Sequence, residues 1–207
     1  GDKAYIISNG SNVIDVVNRY TFKLITKIDA GLVVPRYGVV VNGKAYVVNA
    51  NTYNPTTGNT DDFVAVINLT TNLVESTIQL NATGNRIILE NGKLYITEPF
   101  NNNKVLVINP STNTLETPIT IGSSGDTMEV KDGYLYVLRS PFGASSELVK
   151  IKLSDKTVTT ITFPSSLDGA GNLVIYGNDI YYTVGGSLYK MAVTATLPST
   201  TPILTYA

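Results

Sequence analysis

One phrase returns along this chain at a nearly fixed interval. "NGKAYVVN" from Asn42 to Asn49 recurs as "NGKLYITE" from Asn91 to Glu98 and as "DGYLYVLR" from Asp132 to Arg139. With the tyrosine of each copy as a marker, Tyr5, Tyr46, Tyr95, Tyr136 and Tyr181 are separated by 41, 49, 41 and 45 residues. Self-similarity at about 40 residues signals stacked or radially arranged units, none of which buries its apolar face alone. The longest interval holds "NTYNPTTGNTDD" from Asn51 to Asp62, whose Asn, Thr, Gly and Pro content reads as a surface loop.

Each unit spells short alternating segments with no helical period. Before the marker, across an Asn-Gly or Asp-Gly hairpin signal, come "RYGVVV" from Arg36, "RIILE" from Arg86, "MEV" from Met128 and "LVIY" from Leu173. After it come "VIDVVNRYT" from Val13, "VAVINLTTN" from Val64, "VLVINPSTN" from Val105 and the weaker "LVKIKLSDK" from Leu148, each a strand followed by a turn. A last segment follows, as in "LVESTIQL" from Leu73 or "TLETPITI" from Thr114. Four strands per repeat predict an all-β fold, a β-propeller of about five four-stranded blades, better than a sandwich, which lacks such an echo. The expected blades of this single domain are residues 1–35, 36–84, 85–125, 126–170 and 171–207, with the tyrosines and valines filling the space between sheets. Residues 3–8 begin at the second strand of a blade, while "PILTYA" ends the chain as a fourth, so the first blade is expected to lack its innermost strand. An unpaired edge invites pairing, which makes a neighbouring chain an expected partner there.

Composition removes several functions. The formal charge is −1 and only 15% of residues are charged, so the Lys and Arg excess that selects phosphate backbones is missing and nucleic acid is not an expected partner. No apolar run approaches the roughly 18 residues of a membrane span. The chain has no Cys and no His, which rules out disulfides, thiolate nucleophiles, imidazole bases and the commonest metal ligands. Absence of Cys fits an extracytoplasmic setting. No cofactor and no metal are expected.

"YVVN" at Tyr46–Asn49 and "VAVINLTTNLVESTIQL" from Val64 resemble the YVTN-type, surface-layer-like propellers and their recurring "VxVIDxxTNxVxxTIxVG" phrase. The resemblance covers essentially the whole chain. Members of that family usually have seven blades, so the resemblance implies either a fragment of a larger ring or a reduced five-bladed relative. Especially similar in style are Bacteroidetes surface lipoproteins, some of which capture cobalamin beside an outer-membrane transporter. This implies a cell-surface or periplasmic location, an upstream lipid anchor, and capture of a small molecule or a surface protein.

The register places the candidate site. In propellers the loop from a fourth strand to the next first strand and the loop between second and third strands open on one face. Those positions bring Arg36, Tyr37, Arg86, Asp126, Glu98 and Arg139 to one rim, joined by Tyr53, Phe100 and Phe142 from otherwise polar loops. Aromatics with arginines around a concave mouth suit recognition of an anionic or amide-bearing group. The competing reading pairs these charges with each other at blade junctions. Catalysis is not expected. A lactonase-type hydrolase needs several carboxylates converging on one metal, and by register only Glu98 and Asp126 come close, while Asp61-Asp62 lacks the spacing of an EF-hand calcium loop. A structural cell-surface repeat protein that assembles through its sides is the alternative of a different class.

Overall fold

The computed structural model describes residues 1–51, 53, 55, 56, 61–100 and 103–206. These residues form five antiparallel sheets and two short 3₁₀ turns. The first sheet has three strands, β1 (Lys3–Ser8), β2 (Val13–Asn18) and β3 (Leu24–Ile28). Four-stranded sheets follow: β4 (Pro35–Val41), β5 (Lys44–Asn49), β6 (Phe63–Asn68) and β7 (Leu73–Gln79); then β8 (Ile87–Glu90), β9 (Lys93–Thr97), β10 (Lys104–Asn109) and β11 (Thr114–Thr120). The fourth sheet comprises β12 (Gly125–Lys131), β13 (Tyr134–Arg139), β14 (Glu147–Lys152) and β15 (Thr157–Thr162); the fifth comprises β16 (Gly171–Tyr176), β17 (Asp179–Val184), β18 (Ser187–Ala192) and β19 (Leu204–Thr205). In every sheet the strands lie in chain order, the up-and-down meander of a propeller blade. The first blade lacks its innermost strand, as the repeat requires.

Local chemistry accounts for the hairpins. Asn42 and Gly43 (φ 50° and 74°), Asn91 and Gly92 (48° and 71°) and Asp132 and Gly133 (51° and 76°) all sit in the left-handed region. Two successive positive φ values make a type I′ turn, whose twist matches that of the strands it joins. The turns after the third strand use a side chain instead. Asn68 Oδ1 accepts the N–H groups of Thr70 and Thr71 at 2.8 and 3.2 Å, Asn18 Oδ1 those of Tyr20 and Thr21 at 3.0 Å each, and Asn109 Oδ1 that of Ser111 at 3.0 Å. Asn72 and Asn113 then close two of these turns at φ 57° and 55°.

Contact density divides the chain into two compact units, residues 1–96 with 106–117, and residues 97–105 with 118–207. In the first unit, Tyr46, Val48, Val64, Val66, Ile96 and Ile108 are among the buried residues of one apolar cluster, and Ile14, Val16, Val47 and Ile67 of another. The marker Tyr46 is fully buried, and its hydroxyl lies 2.9 Å from the Pro110 carbonyl and 2.8 Å from Asn113 Oδ1. It thereby ties one blade to the turn of the next. Tyr5 repeats the contact with Asn72 Oδ1 at 3.4 Å but is only partly buried. A groove of about 280 Å³ lined by Tyr5, Ile7, Gly38 and Val40 opens between the first and second sheets.

In the second unit the core is aromatic. Phe163, Tyr182 and Tyr189 form a run with ring centroids 5.1 and 5.6 Å apart, joined by Tyr136, Leu138, Leu148, Leu173 and Met191. The fifth marker, Tyr181, is only partly buried, and its neighbour Tyr182 is the fully buried tyrosine of that strand. Successive residues of a strand face opposite ways, and the Tyr182 side is the one packed on the fourth sheet. Burial, reinforced by Tyr189, pushes the Tyr182 hydroxyl up to about 12, so it stays neutral and donates to the Ser199 carbonyl. No helix among the described residues is long and apolar enough to cross a membrane.

Candidate functional site

The residue immediately before the third strand of a blade acts as an anchor for the rim loops. Asn12 Oδ1 accepts the Val34 N–H at 2.6 Å, Asp62 Oδ2 accepts the Gly84 N–H at 3.0 Å, and Ser146 Oγ accepts the Ala170 N–H at 3.1 Å. In each case a side-chain oxygen reaches the backbone of the loop leading to the next blade. Asp62 and Ser146 are both fully buried. Because a buried N–H without a partner costs about 1–3 kcal/mol, the Asp62 and Ser146 oxygens fix the course of their loops. From the sequence, Asp62 is weighed only as a calcium ligand, and Asn12 and Ser146 have no role. Their signal was a residue with a polar side chain one place before the matching strand, at Asn12, Asp62 and Ser146.

In the first unit, Arg36 and Tyr37 lie within β4 rather than in a loop. The pairing of β4 with β5 slips between Pro35 and Gly38, so both residues occupy a bulge, which re-aims side chains at a strand end. Arg36 Nη1 donates to the Gly84 carbonyl at 2.8 Å and stands 3.9 Å from Asp62 Oδ2. Asp62 Oδ1 also accepts the Asn51 N–H at 3.0 Å. Arg36 therefore binds together the start of β4, the loop after β7 and the insertion after β5. Tyr37 stays partly exposed, with the Arg86 guanidinium carbon 4.2 Å from its ring centroid. Such a cation–π contact contributes about 0.5–1 kcal/mol at an exposed site. Tyr37 and Arg86 are thus brought together, while Tyr53 stands exposed in the insertion.

In the second unit, Glu98 is buried and its Oε2 accepts the Phe100 N–H at 3.2 Å. Phe100 is exposed, and its carbonyl accepts both the N–H and the hydroxyl of Ser124, at 3.0 and 3.2 Å. The Ser124 carbonyl in turn accepts the Ser140 N–H at 3.3 Å. The loop carrying Phe100 is thus linked through Ser124 to the loop carrying Phe142, whose side chain is fully exposed. Asp126 is exposed in β12 at the slip between Gly125 and Thr127, again in a bulge and not in a loop. Its carbonyl accepts the Thr97 hydroxyl at 2.9 Å. Arg139 is mostly buried, lies directly against the α-carbon of Gly122, and pairs with Glu147 across the strands at 3.0 Å.

The candidates therefore separate by what they touch. Arg36, Arg139 and Glu98 are bonded within the protein, whereas Tyr37, Tyr53, Phe100, Asp126 and Phe142 present surface. Paired Arg and Glu lose much of their capacity to bind a ligand charge, because the internal partner competes for the same geometry. Among the described residues no group of three or more carboxylates is placed to hold a metal ion. Asp62, an element of the Asp61-Asp62 pair, already has two backbone N–H groups and a guanidinium around it.

Solved structures similar to this one are propeller-like. Hydrazine synthase from Kuenenia stuttgartiensis matches with a TM-score of 0.75 at 15% identity, covering 88% of this chain and 52% of that one. An extracellular domain described as part of a one-component system, BT4673 from B. thetaiotaomicron, matches with a TM-score of 0.70 at 16% identity over 94% of this chain and 27% of that one. BamB from Moraxella catarrhalis matches with a TM-score of 0.58 at 13% identity over 93% and 55%. The chain thus spans about half or less of the length of each, and at these identities the likeness concerns the fold alone. No curated protein sequence matches it. The family described as Domain of unknown function (DUF5074) matches residues 1–206, and the chain belongs to that family.

Proposed function

We propose that this chain is a non-catalytic, extracytoplasmic binding propeller that captures a small molecule or a surface partner on the loop ends of its blades. Within this reading it is a relative of the YVTN-type surface propellers and works at the cell surface beside an outer-membrane transporter. The observation that carries it is the pair of exposed phenylalanines, Phe100 and Phe142, on two loops joined through Ser124. Exposed Phe at loop tips loses favourable burial unless something covers it, and aromatic anchors dominate binding surfaces. That a similar structure is an extracellular domain agrees with the location. The recognising element is the aromatic surface of the second unit with Asp126, since Arg139 is engaged internally with Glu147.

Cyanocobalamin retention in equilibrium dialysis tests the small-molecule form of this proposal, with the Phe100→Ser/Phe142→Ser double variant beside the parent. Retention that falls at least tenfold in the double variant, with an unchanged unfolding midpoint, supports it. Retention indifferent to both phenylalanines counts against the loop ends, and no retention at all removes the corrinoid. Chelator-sensitive hydrolysis of a lactone panel would favour the enzyme alternative instead.

A further inference from the structure

The repeat supplies its own internal standard for a second site, remote from the loop ends. Directly across from the marker tyrosine, the third strand carries Val16 opposite Tyr5 and Val66 opposite Tyr46, both fully buried. In the fourth and fifth sheets the same place holds lysine: Lys150 opposite Tyr136 and Lys190 opposite Tyr181. A charge where the repeat puts a core valine is a local inconsistency of the kind that marks functional positions.

Three other lysines facing this part of a blade have counter-ions, while Lys3, two residues before Tyr5, donates to the Leu69 carbonyl at 3.2 Å. Lys190 meets Asp179 at 2.8 Å, Lys44 meets Glu75 at 2.8 Å, and Lys93 pairs with Glu116. Lys44, Lys93 and Asp179 each sit two residues before the marker tyrosine, a place taken in the fourth sheet by Tyr134. The fourth strand there reads Thr157, Val158, Thr159, Thr160 and offers no acid. Glu147 is engaged by Arg139 and Asp155 by Lys152, while Glu129 lies across β13, on the far side of Tyr136. Among the described residues Lys150 has no ion-pair partner. Its Nζ instead stands 4.2 Å from the Tyr134 ring centroid and 5.3 Å from that of Tyr136.

Beside this ammonium opens a cleft of about 360 Å³ between the fourth and fifth sheets. Leu148, Ile161, Ile180 and Met191 supply its apolar walls, and Thr159 and Thr194 stand at its margin. We propose that this cleft binds a small organic monoanion, a carboxylate on a flat apolar body. Lys150 is its counter-ion, the tyrosine faces receive its ring, and the threonine hydroxyls donate to its remaining oxygen lone pairs. The carboxylate takes the part that Asp179 plays for Lys190. A charge-assisted bond in a partly desolvated cleft favours the anion over its neutral isostere.

Benzoate and benzamide are the probes, titrated into isotopically labelled protein with amide shifts read by NMR. Saturable shifts at Tyr136, Leu148, Ile161 and Met191 are expected with benzoate, and affinity at least tenfold lower with benzamide. Lys150→Met tests the charge in a position where the repeat itself accommodates an apolar side chain, so the fold should survive. Tyr134→Asp installs the counter-ion of the fifth sheet and should block the cleft equally. Both should weaken benzoate at least tenfold, and Lys150→Arg should retain it. Phe142→Ser should leave benzoate binding unchanged, which separates this cleft from the loop ends. Equal affinity for benzamide, unchanged binding by Lys150→Met, or no saturable shift at the cleft residues would each overturn the proposal.

Discussion

Replacing Asp62 by alanine should cost more stability than any other single change at the rim of the first unit. The carboxylate is fully buried and accepts the N–H groups of Asn51 and Gly84, each at 3.0 Å, with Arg36 Nη1 at 3.9 Å. Hydrogen bonds to a charged acceptor contribute about 1.5–3 kcal/mol each, so losing two removes about 3–6 kcal/mol. Arg36 adds little to that loss, because it is partly exposed and keeps the Gly84 carbonyl at 2.8 Å. A domain has only about 5–15 kcal/mol in total, so the variant should approach the limit of folding. Asp62→Asn, which keeps one acceptor oxygen, should fall between the two. Urea unfolding reads the total, and amide hydrogen exchange reads the site. Protection should collapse at Asn51 and Gly84 and hold better at Leu80, whose N–H bonds to the Asp62 backbone carbonyl at 2.8 Å. A loss below about 1 kcal/mol with unchanged protection at Asn51 and Gly84 would refute the anchor role, since neither N–H could then have depended on the carboxylate.

Other outcomes follow from the same contacts. A Cβ on Gly122 would lie 1.1 Å from Arg139 Nη1, so Gly122→Ala should expel that flexible side chain and break its 3.0 Å pair with Glu147. The cost should be about 1–2 kcal/mol and non-additive with Arg139→Ala, as a double-mutant cycle would show. Tyr46→Phe removes the one hydroxyl proton that the Pro110 carbonyl and Asn113 Oδ1 share and should cost about 1–2 kcal/mol by chemical denaturation, with no change in the far-UV spectrum. Stability should fall at both pH extremes. Hydrogen bonds from Thr157, joined by Lys152, hold Asp155 at about 2 against an ordinary 3.8, so its contribution is present above about 4 and lost as pH drops toward 2. Tyr182 ionises in the unfolded chain near 10 and in the fold at about 12, so stability declines across that interval. Unfolding midpoints measured against pH should flatten at the acid end in Asp155→Asn and at the alkaline end in Tyr182→Phe.

Local chemistry made much of the architecture legible. The Asn-Gly and Asp-Gly pairs could only close tight hairpins, and the alternation around Tyr46, Tyr95 and Tyr136 placed those rings inside. The three strands of the first sheet were likewise readable, because Lys3–Ser8 matches the second strand of the later repeats. The rim was legible as an address but not as chemistry. Register brought Arg36 and Arg139 to loop ends, yet Arg36 spends its donors on Gly84, 48 residues away, and Arg139 on Glu147 while lying against Gly122. The bulges that moved Arg36, Tyr37 and Asp126 from loops into strands are likewise set by pairing with a neighbouring strand.

The sequence by itself determined the repeat, the strand count of each blade and the turns, since all three depend on residues within a few positions of one another. Only the tertiary structure decided which polar groups are consumed and which remain on offer. Phe100 and Phe142 are left uncovered while Arg36 is not, and Lys150 lacks the carboxylate that Lys190 has. Hydrogen bonds and ion pairs act over a few ångströms of space, and the residues that share that space here lie on separate strands and loops of the chain.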